Sequence, residues 1–255
     1  MSDGKIVNEK IAAEKPANEF PPDEFLRNEF PRNEVPAILV AGGRPRDPAA
    51  MARMMSHAFR GLQKPVVAYI GTANGDNPAF FLMMKSMLKS AGAGKIVFVH
   101  LAKKNPDLVA ARNTLSAADV IFLSGGEVED GMNWLKKHEL VGFLKDLYGK
   151  GKRFLGVSAG VIMMGMHWVH WDIEGDDSTS KLFDCLAFTP VLFDTHGEDE
   201  DWVELKAALK LLGPGSRAYG LPGGSMISAD SRGNLVNLSK EYLVFVNEGG
   251  RIRME

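Results

Sequence analysis

Short apolar runs alternate with longer helical patterns along most of the chain. Ala37-Ile38-Leu39-Val40-Ala41 ends in Gly42-Gly43, and a helical pattern follows around residues 51–62. Val66-Val67-Ala68-Tyr69-Ile70 reads as a second strand, closed by the turn from Gly71 to Gly75. A helix over 80–91, a strand at Ile96-Val97-Phe98-Val99-His100 and a helix over 105–117 come next. Val120-Ile121-Phe122-Leu123 is a fourth strand, and one helix over 131–148 leads to a fifth, Arg153-Phe154-Leu155. Compact β-rich runs separated by helices predict a three-layer α/β/α fold around a mainly parallel, doubly wound sheet. Sites in such folds lie beyond the carboxyl ends of the strands, where four of these turns fall.

Residues 1–36 break this pattern. Asn18-Glu19-Phe20-Pro21-Pro22, Asn28-Glu29-Phe30-Pro31 and Asn33-Glu34-Val35-Pro36 form an imperfect repeat. Proline at this density prevents a continuous helix, and scattered phenylalanines build no core. The segment reads as a leader, disordered or draped over the surface. The spacing of Phe20, Phe25 and Phe30 also suits a tail that docks on its own domain or on a partner. Residues 37–255 then form a single α/β domain of hydrolase type.

Composition narrows the partners. The chain has 255 residues, 45% of them hydrophobic, enough for a sizeable core. A net charge of −2 supplies no basic field for nucleic acid and no polybasic membrane patch. No apolar run approaches the roughly 20 residues that span a bilayer, and the start of the chain is polar, so a cytoplasmic location is expected. The lone Cys185, among Leu182, Phe183, Leu186 and Phe188, reads as a core thiol.

The chemistry concentrates in Gly156-Val157-Ser158-Ala159-Gly160, between the fifth strand and the apolar run Val161-Ile162-Met163-Met164. A serine between small residues at a strand-to-helix turn is the nucleophile-elbow pattern, which lifts the hydroxyl clear of the sheet edge. A serine nucleophile needs two N–H donors for the developing oxyanion, here Ala159 after it and Gly126 in Ser124-Gly125-Gly126-Glu127. It also needs a base, and His196 follows the apolar run Val191-Leu192-Phe193. Of the other histidines, His57 and His138 stand among polar neighbours in helical stretches and read as solvent-facing; His100 ends a strand. His167 and His170 would pair on one helical turn, but no Glu-x-x-His or cysteine accompanies them, so metal binding is disfavoured. No cofactor is expected. The glycine turns lack both the P-loop and the dinucleotide-binding patterns.

Together these motifs resemble peptidase family S51, which includes aspartyl dipeptidase and cyanophycinase. The resemblance runs over residues 37–246 and is sharpest at Ile121 to Gly126, at Gly156 to Gly160, at Phe183 to Leu186 through Phe193 to His196, and at Tyr219-Gly220-Leu221-Pro222-Gly223-Gly224. It implies a fold like the class I glutamine amidotransferases and amide hydrolysis through an acyl-enzyme. Ser158 would be the nucleophile, His196 the base, and Gly126 and Ala159 the oxyanion donors. Two departures shape the expected function. Gly223 stands where aspartyl dipeptidase carries its acid, leaving Glu198, Asp194 and Glu174 as candidates for the third member. The arginines that follow the histidine in aspartyl-specific members are replaced by Gly197-Glu198-Asp199-Glu200-Asp201-Trp202. The expected activity is a serine-type peptidase or amide hydrolase not specialised for acidic substrates. The alternative is a catalytically impaired member that binds a peptide or small molecule. Assembly into a homo-oligomer is left open.

Overall fold

The computed structural model describes residues 37–43 and 48–255; the reading of residues 1–36 as a leader lies outside them. Five parallel strands form the frame: β1 (Ala37–Ala41), β2 (Val66–Ile70), β3 (Lys95–Val99), β4 (Val120–Leu123) and β5 (Arg153–Val157). Their spatial order is β1-β5-β4-β2-β3, with every neighbouring pair parallel. Helices make the crossovers: α1 (Pro48–Ser56), α2 (Pro78–Ser90), α3 (Leu108–Ala117), then α4 (Val128–Lys137) and α5 (Leu140–Gly149). Two antiparallel strands, β10 (Met226–Asp230) and β11 (Leu235–Asn237), extend the sheet beyond β1 to seven. The result is the mixed α/β architecture, with a large and mostly parallel central sheet, that the alternating pattern predicts.

The sheet is apolar on both faces because helices cover both. Ile38, Val40, Ala68, Ile70, Ile121, Leu123 and Phe154 alternate along their strands and share one buried cluster with Leu115 of α3, Met132 of α4 and Leu144 of α5. On the opposite face Tyr69 meets Phe81 of α2 and Phe98 of β3 edge-on and stacks with Phe122. This two-sided burial explains why β4 is buried throughout.

Three expectations need correction. The helix read over 131–148 is two helices. The chain breaks at His138-Glu139, where Glu139 takes a left-handed φ of 53° that no helix continues through. His138 is not solvent-facing but buried, with Nε2 2.9 Å from the Leu101 carbonyl oxygen. His57 is half-buried in a short 3₁₀ turn, His57–Phe59. His167 and His170 lie on a strand, β6 (His167–Trp171), rather than a helical turn. A separation of three residues puts them on opposite faces of it. β6 pairs with β7 (Ser180–Asp184) in a hairpin.

The apolar pattern also leaves a second sheet unread. β8 (Leu192–Thr195) pairs in parallel with β9 (Arg217–Leu221), and β12 (Leu243–Glu248) and β13 (Arg251–Met254) complete it antiparallel. α7 (Val203–Leu212) covers it, burying Leu205, Ala208 and Leu209 against Leu192, Ala218 and Phe245. The short helix α6 (Ala159–Met164) follows β5, with all six residues buried.

Close packing of α6 on the sheet depends on Gly160. A β-carbon there would collide with the Leu123 carbonyl oxygen of β4, a backbone atom fixed in the sheet. Gly160→Ala is therefore expected to destabilise the fold by about 1–3 kcal/mol, the usual cost of overpacking, measured by urea unfolding.

Candidate functional site

β1, β5, β4 and β2 are neighbours, so the turns that follow them open on one edge of the sheet. Ser158 stands at the turn from β5 to α6 with φ 54° and ψ −126°, a conformation costing of order 1–3 kcal/mol for a residue with a side chain. Ser158 N–H donates to the Ala41 carbonyl (3.2 Å), and its own carbonyl accepts from Val161 N–H (2.7 Å). Ser158 is half-buried.

His196 comes from the second sheet. It follows β8 directly, has φ 46°, and its N–H donates to the Leu221 carbonyl at 2.9 Å. Its Nε2 lies 2.7 Å from Ser158 Oγ. Gly43 backs this pair: a β-carbon there would be 3.6 Å from Ser158 Cβ and 3.8 Å from His196 Cδ2. Gly224 N–H donates to the Gly43 carbonyl (2.9 Å), and Gly42 N–H to the Ser225 carbonyl (3.0 Å). The Leu221–Ser225 turn is thereby tied to the end of β1.

The Ser124-Gly125-Gly126 turn follows β4 on the other side of Ser158. The β-carbon position of Gly125 is 3.1 Å from Ser158 Cβ. Ala159 opens α6, where the first N–H groups have no partner within the helix. Both expected oxyanion donors therefore belong to turns that flank Ser158. Sequence reasoning did not single out Tyr69 and Asn74, which hold the turn from behind. Tyr69 Oη–H donates to Ser124 Oγ (2.8 Å), and Asn74 Nδ2 donates to Ser124 Oγ (3.0 Å) and the Gly125 carbonyl (2.9 Å). The only signal in the sequence was an asparagine in a glycine-bounded turn.

The three candidate carboxylates occupy different environments. Glu198 is exposed, two residues past His196, and its Oε1 accepts from Gly223 N–H at 2.8 Å. Asp194 is buried on β8 and accepts from Thr195 N–H at 2.6 Å. Burial pushes its carboxyl up to about 8, which outweighs the opposing effect of the Thr195 and Leu205 N–H groups. Glu200 and Glu204 raise it further. At neutral pH Asp194 is therefore largely uncharged. Glu174 lies in the turn between β6 and β7, within electrostatic reach of Glu204.

The acidic run after His196 is turned outward by one residue. Trp202 is buried, donates its N–H to the Gly197 carbonyl (2.9 Å), and packs against Gly197 and Gly220. Glu198, Asp199, Glu200 and Asp201 are left exposed. Burial raises the Glu204 carboxyl, and Glu200, Glu174 and Glu127 raise it further, so four acids gather on this side of the molecule.

Other groups read as candidates lie elsewhere. His170 Nδ1 is 2.7 Å from Glu129 Oε1, an ion pair that raises its ring above the ordinary histidine value. His167 Nδ1 is 3.0 Å from Asp184 Oδ1. Among the described residues no group of three or more histidine, cysteine or acidic side chains is arranged to hold a metal ion. Cys185 is buried, and burial pushes its thiol up to about 12. No described helix is long and apolar enough to cross a membrane.

Comparison with known proteins bears on the family and the fold. The model of peptidase family S51 matches residues 37–232. No curated protein matches. Among solved structures, a peptidase from an acI-B1 Actinobacterium superposes with a TM-score of 0.59 at 15% identity, covering 87% of this chain and 94% of its own. A putative peptidase E protein from Listeria monocytogenes EGD-e gives a TM-score of 0.59 at 15% identity, covering 82% of this chain and 100% of its own. At that identity the likeness is one of fold.

Asp194 makes stability depend on pH. Its folded carboxyl titrates far above the unfolded value near 4, so the folded chain holds a proton that the unfolded chain releases. This contribution is intact below about pH 4 and is lost as pH rises to about 8. Asp194→Asn, neutral throughout, is expected to lack that loss and to gain stability relative to wild type at alkaline pH. Urea unfolding across this range checks it; an unchanged pH slope would refute the assignment.

Proposed function

We propose that this chain, which belongs to peptidase family S51, hydrolyses peptide or small amide bonds by a serine mechanism. The observation that carries the proposal is the 2.7 Å contact between Ser158 Oγ and His196 Nε2, made at a strained turn with N–H donors on both sides. Geometry of this kind suits proton transfer from the hydroxyl to the imidazole.

In this reading Ser158 Oγ attacks the amide carbon while His196 Nε2 takes the hydroxyl proton. The carbonyl oxygen becomes an oxyanion held by Gly126 and Ala159 N–H. Collapse of the tetrahedral intermediate breaks the C–N bond, and the imidazolium proton passes to the leaving amine. Water then attacks the acyl-enzyme, giving its proton to His196. The second collapse releases the acid and returns that proton to Ser158.

Glu198 is the third member in this scheme. Its link to Gly223 N–H supports the choice, because Gly223 occupies the place of the acid in aspartyl dipeptidase. Burial raises the Asp194 carboxyl and so disfavours the anion that would stabilise an imidazolium. Glu174 belongs with the carboxylates around Glu204. The acidic surface formed by Glu127, Glu174, Glu200 and Glu204 favours neutral or basic substrates and repels aspartyl ones.

A fluorophosphonate probe is expected to label Ser158, and Ser158→Ala to abolish labelling with little change in thermal stability. Glu198→Gln is expected to lower kcat by up to about 10⁴-fold, the loss seen when a triad histidine is left without its anion. Failure of the wild type to label or to cleave a broad peptide panel would favour the binding-protein alternative.

A further inference from the structure

The Gly125–Gly126 peptide must hold one orientation if Gly126 N–H is to face an oxyanion, yet two glycines are the pair least able to resist rotation of the peptide between them. The restraint comes from outside the turn. Asn74 Oδ1 accepts from Asn77 N–H at 3.1 Å, and a backbone N–H can only donate. That bond fixes which end of the Asn74 amide faces the turn: Nδ2 points at Gly125 O (2.9 Å) and Ser124 Oγ (3.0 Å). In a planar trans peptide the carbonyl and the following N–H point in opposite directions. With Gly125 O held toward Asn74, Gly126 N–H is directed away from Asn74.

The rest of the turn shows which side that is. Glu127 N–H donates to the Ala73 carbonyl at 2.7 Å, and a β-carbon on Gly126 would collide with that same carbonyl. The Gly71–Asp76 turn thus fills the back of the loop. On the front, the β-carbon position of Gly125 faces Ser158, 3.1 Å from its Cβ and 3.6 Å from its Oγ. Gly126 has φ 140°, open to glycine and closed to residues with side chains.

We infer that Asn74 is a positioning residue that locks the Gly125–Gly126 peptide with Gly126 N–H presented to the oxyanion. The catalytic part of this inference rests on the hydrolase reading; the orientation of the peptide does not. Rotation of that one peptide would put a carbonyl oxygen where the donor stood and switch the site off without moving Ser158 or His196.

Asn74→Asp tests the lock with almost no change of shape. It keeps the acceptor for Asn77 N–H but sets a carboxylate oxygen against Gly125 O, where two acceptors repel. A crystal structure of the variant is expected to show the peptide rotated. Activity on an amide substrate is expected to fall about 10²-fold in kcat, the scale of one lost oxyanion donor, with KM within about threefold. The rate of fluorophosphonate labelling should fall in parallel. Asn74→Ala, which removes the donor without adding repulsion, should give a smaller loss in kcat and serves if the aspartate variant folds poorly. Parallel losses in kcat and KM, or a peptide that stays in place in both variants, would overturn the inference. A rotated peptide in a protein whose wild type neither labels nor hydrolyses would support the lock and count against the hydrolase reading alone.

Discussion

Ser158 is held in a backbone conformation that an isolated chain would rarely adopt, and the surrounding structure exists around that constraint. The turn from β5 to α6 is tight because α6 lies almost on the backbone of β4. Gly156 and Gly160 make that approach feasible: a β-carbon on Gly156 would lie 2.7 Å from Gly160 O, and one on Gly160 would strike the Leu123 carbonyl. The strain at Ser158 is offset by burial of every residue of α6. Because β5 sits between β1 and β4, the serine emerges with one glycine turn on each side. A regular, rigid sheet thereby supports one irregular residue.

The histidine reaches the serine by a different route. β8 belongs to the second sheet, so the distance between Ser158 and His196 depends on how two sheets are joined. The joining contacts are backbone hydrogen bonds: His196 N–H to Leu221 O, Gly224 N–H to Gly43 O and Gly42 N–H to Ser225 O. Leu221 ends β9, the parallel neighbour of β8, and Ser225 precedes β10 of the central sheet. The Leu221–Ser225 turn is the bridge between sheets. Anchoring by backbone groups leaves that turn tolerant of sequence, consistent with a glycine at 223.

Environment sorts the nearby carboxyl groups into roles that their residue types do not distinguish. Asp194 and Glu198 are four residues apart. One lies under α7 and takes up a proton because burial disfavours its charge; the other remains at the surface, bonded to a backbone N–H. Trp202 draws this division, since its burial leaves Glu198, Asp199, Glu200 and Asp201 outward. Burial raises the Glu204 carboxyl, and the neighbouring carboxylates Glu200, Glu174 and Glu127 raise it further.

The alternation of apolar runs and helical stretches was enough to specify the parallel sheet, because five strands buried on both faces leave a strong local signal. Gly156 to Gly160 was legible for the same reason: a strand end, a tight turn and a buried helix are all encoded within a few residues. The single helix read over 131–148 failed because the break at Glu139 is set by a left-handed residue and by the buried His138 reaching Leu101, a contact 37 residues away. The second sheet was missed because β8, β9 and β12 pair across long separations and β9 and β13 carry weak alternation. Which of Glu198, Asp194 and Glu174 could serve as the third member was open in the sequence, since no local pattern reports the burial that raises the Asp194 carboxyl. Asn74 lay unremarked in its turn until folding brought β2 and β4 side by side and set its amide against Gly125. Local chemistry chose the serine and the strands; only the packing of distant segments oriented the groups around it.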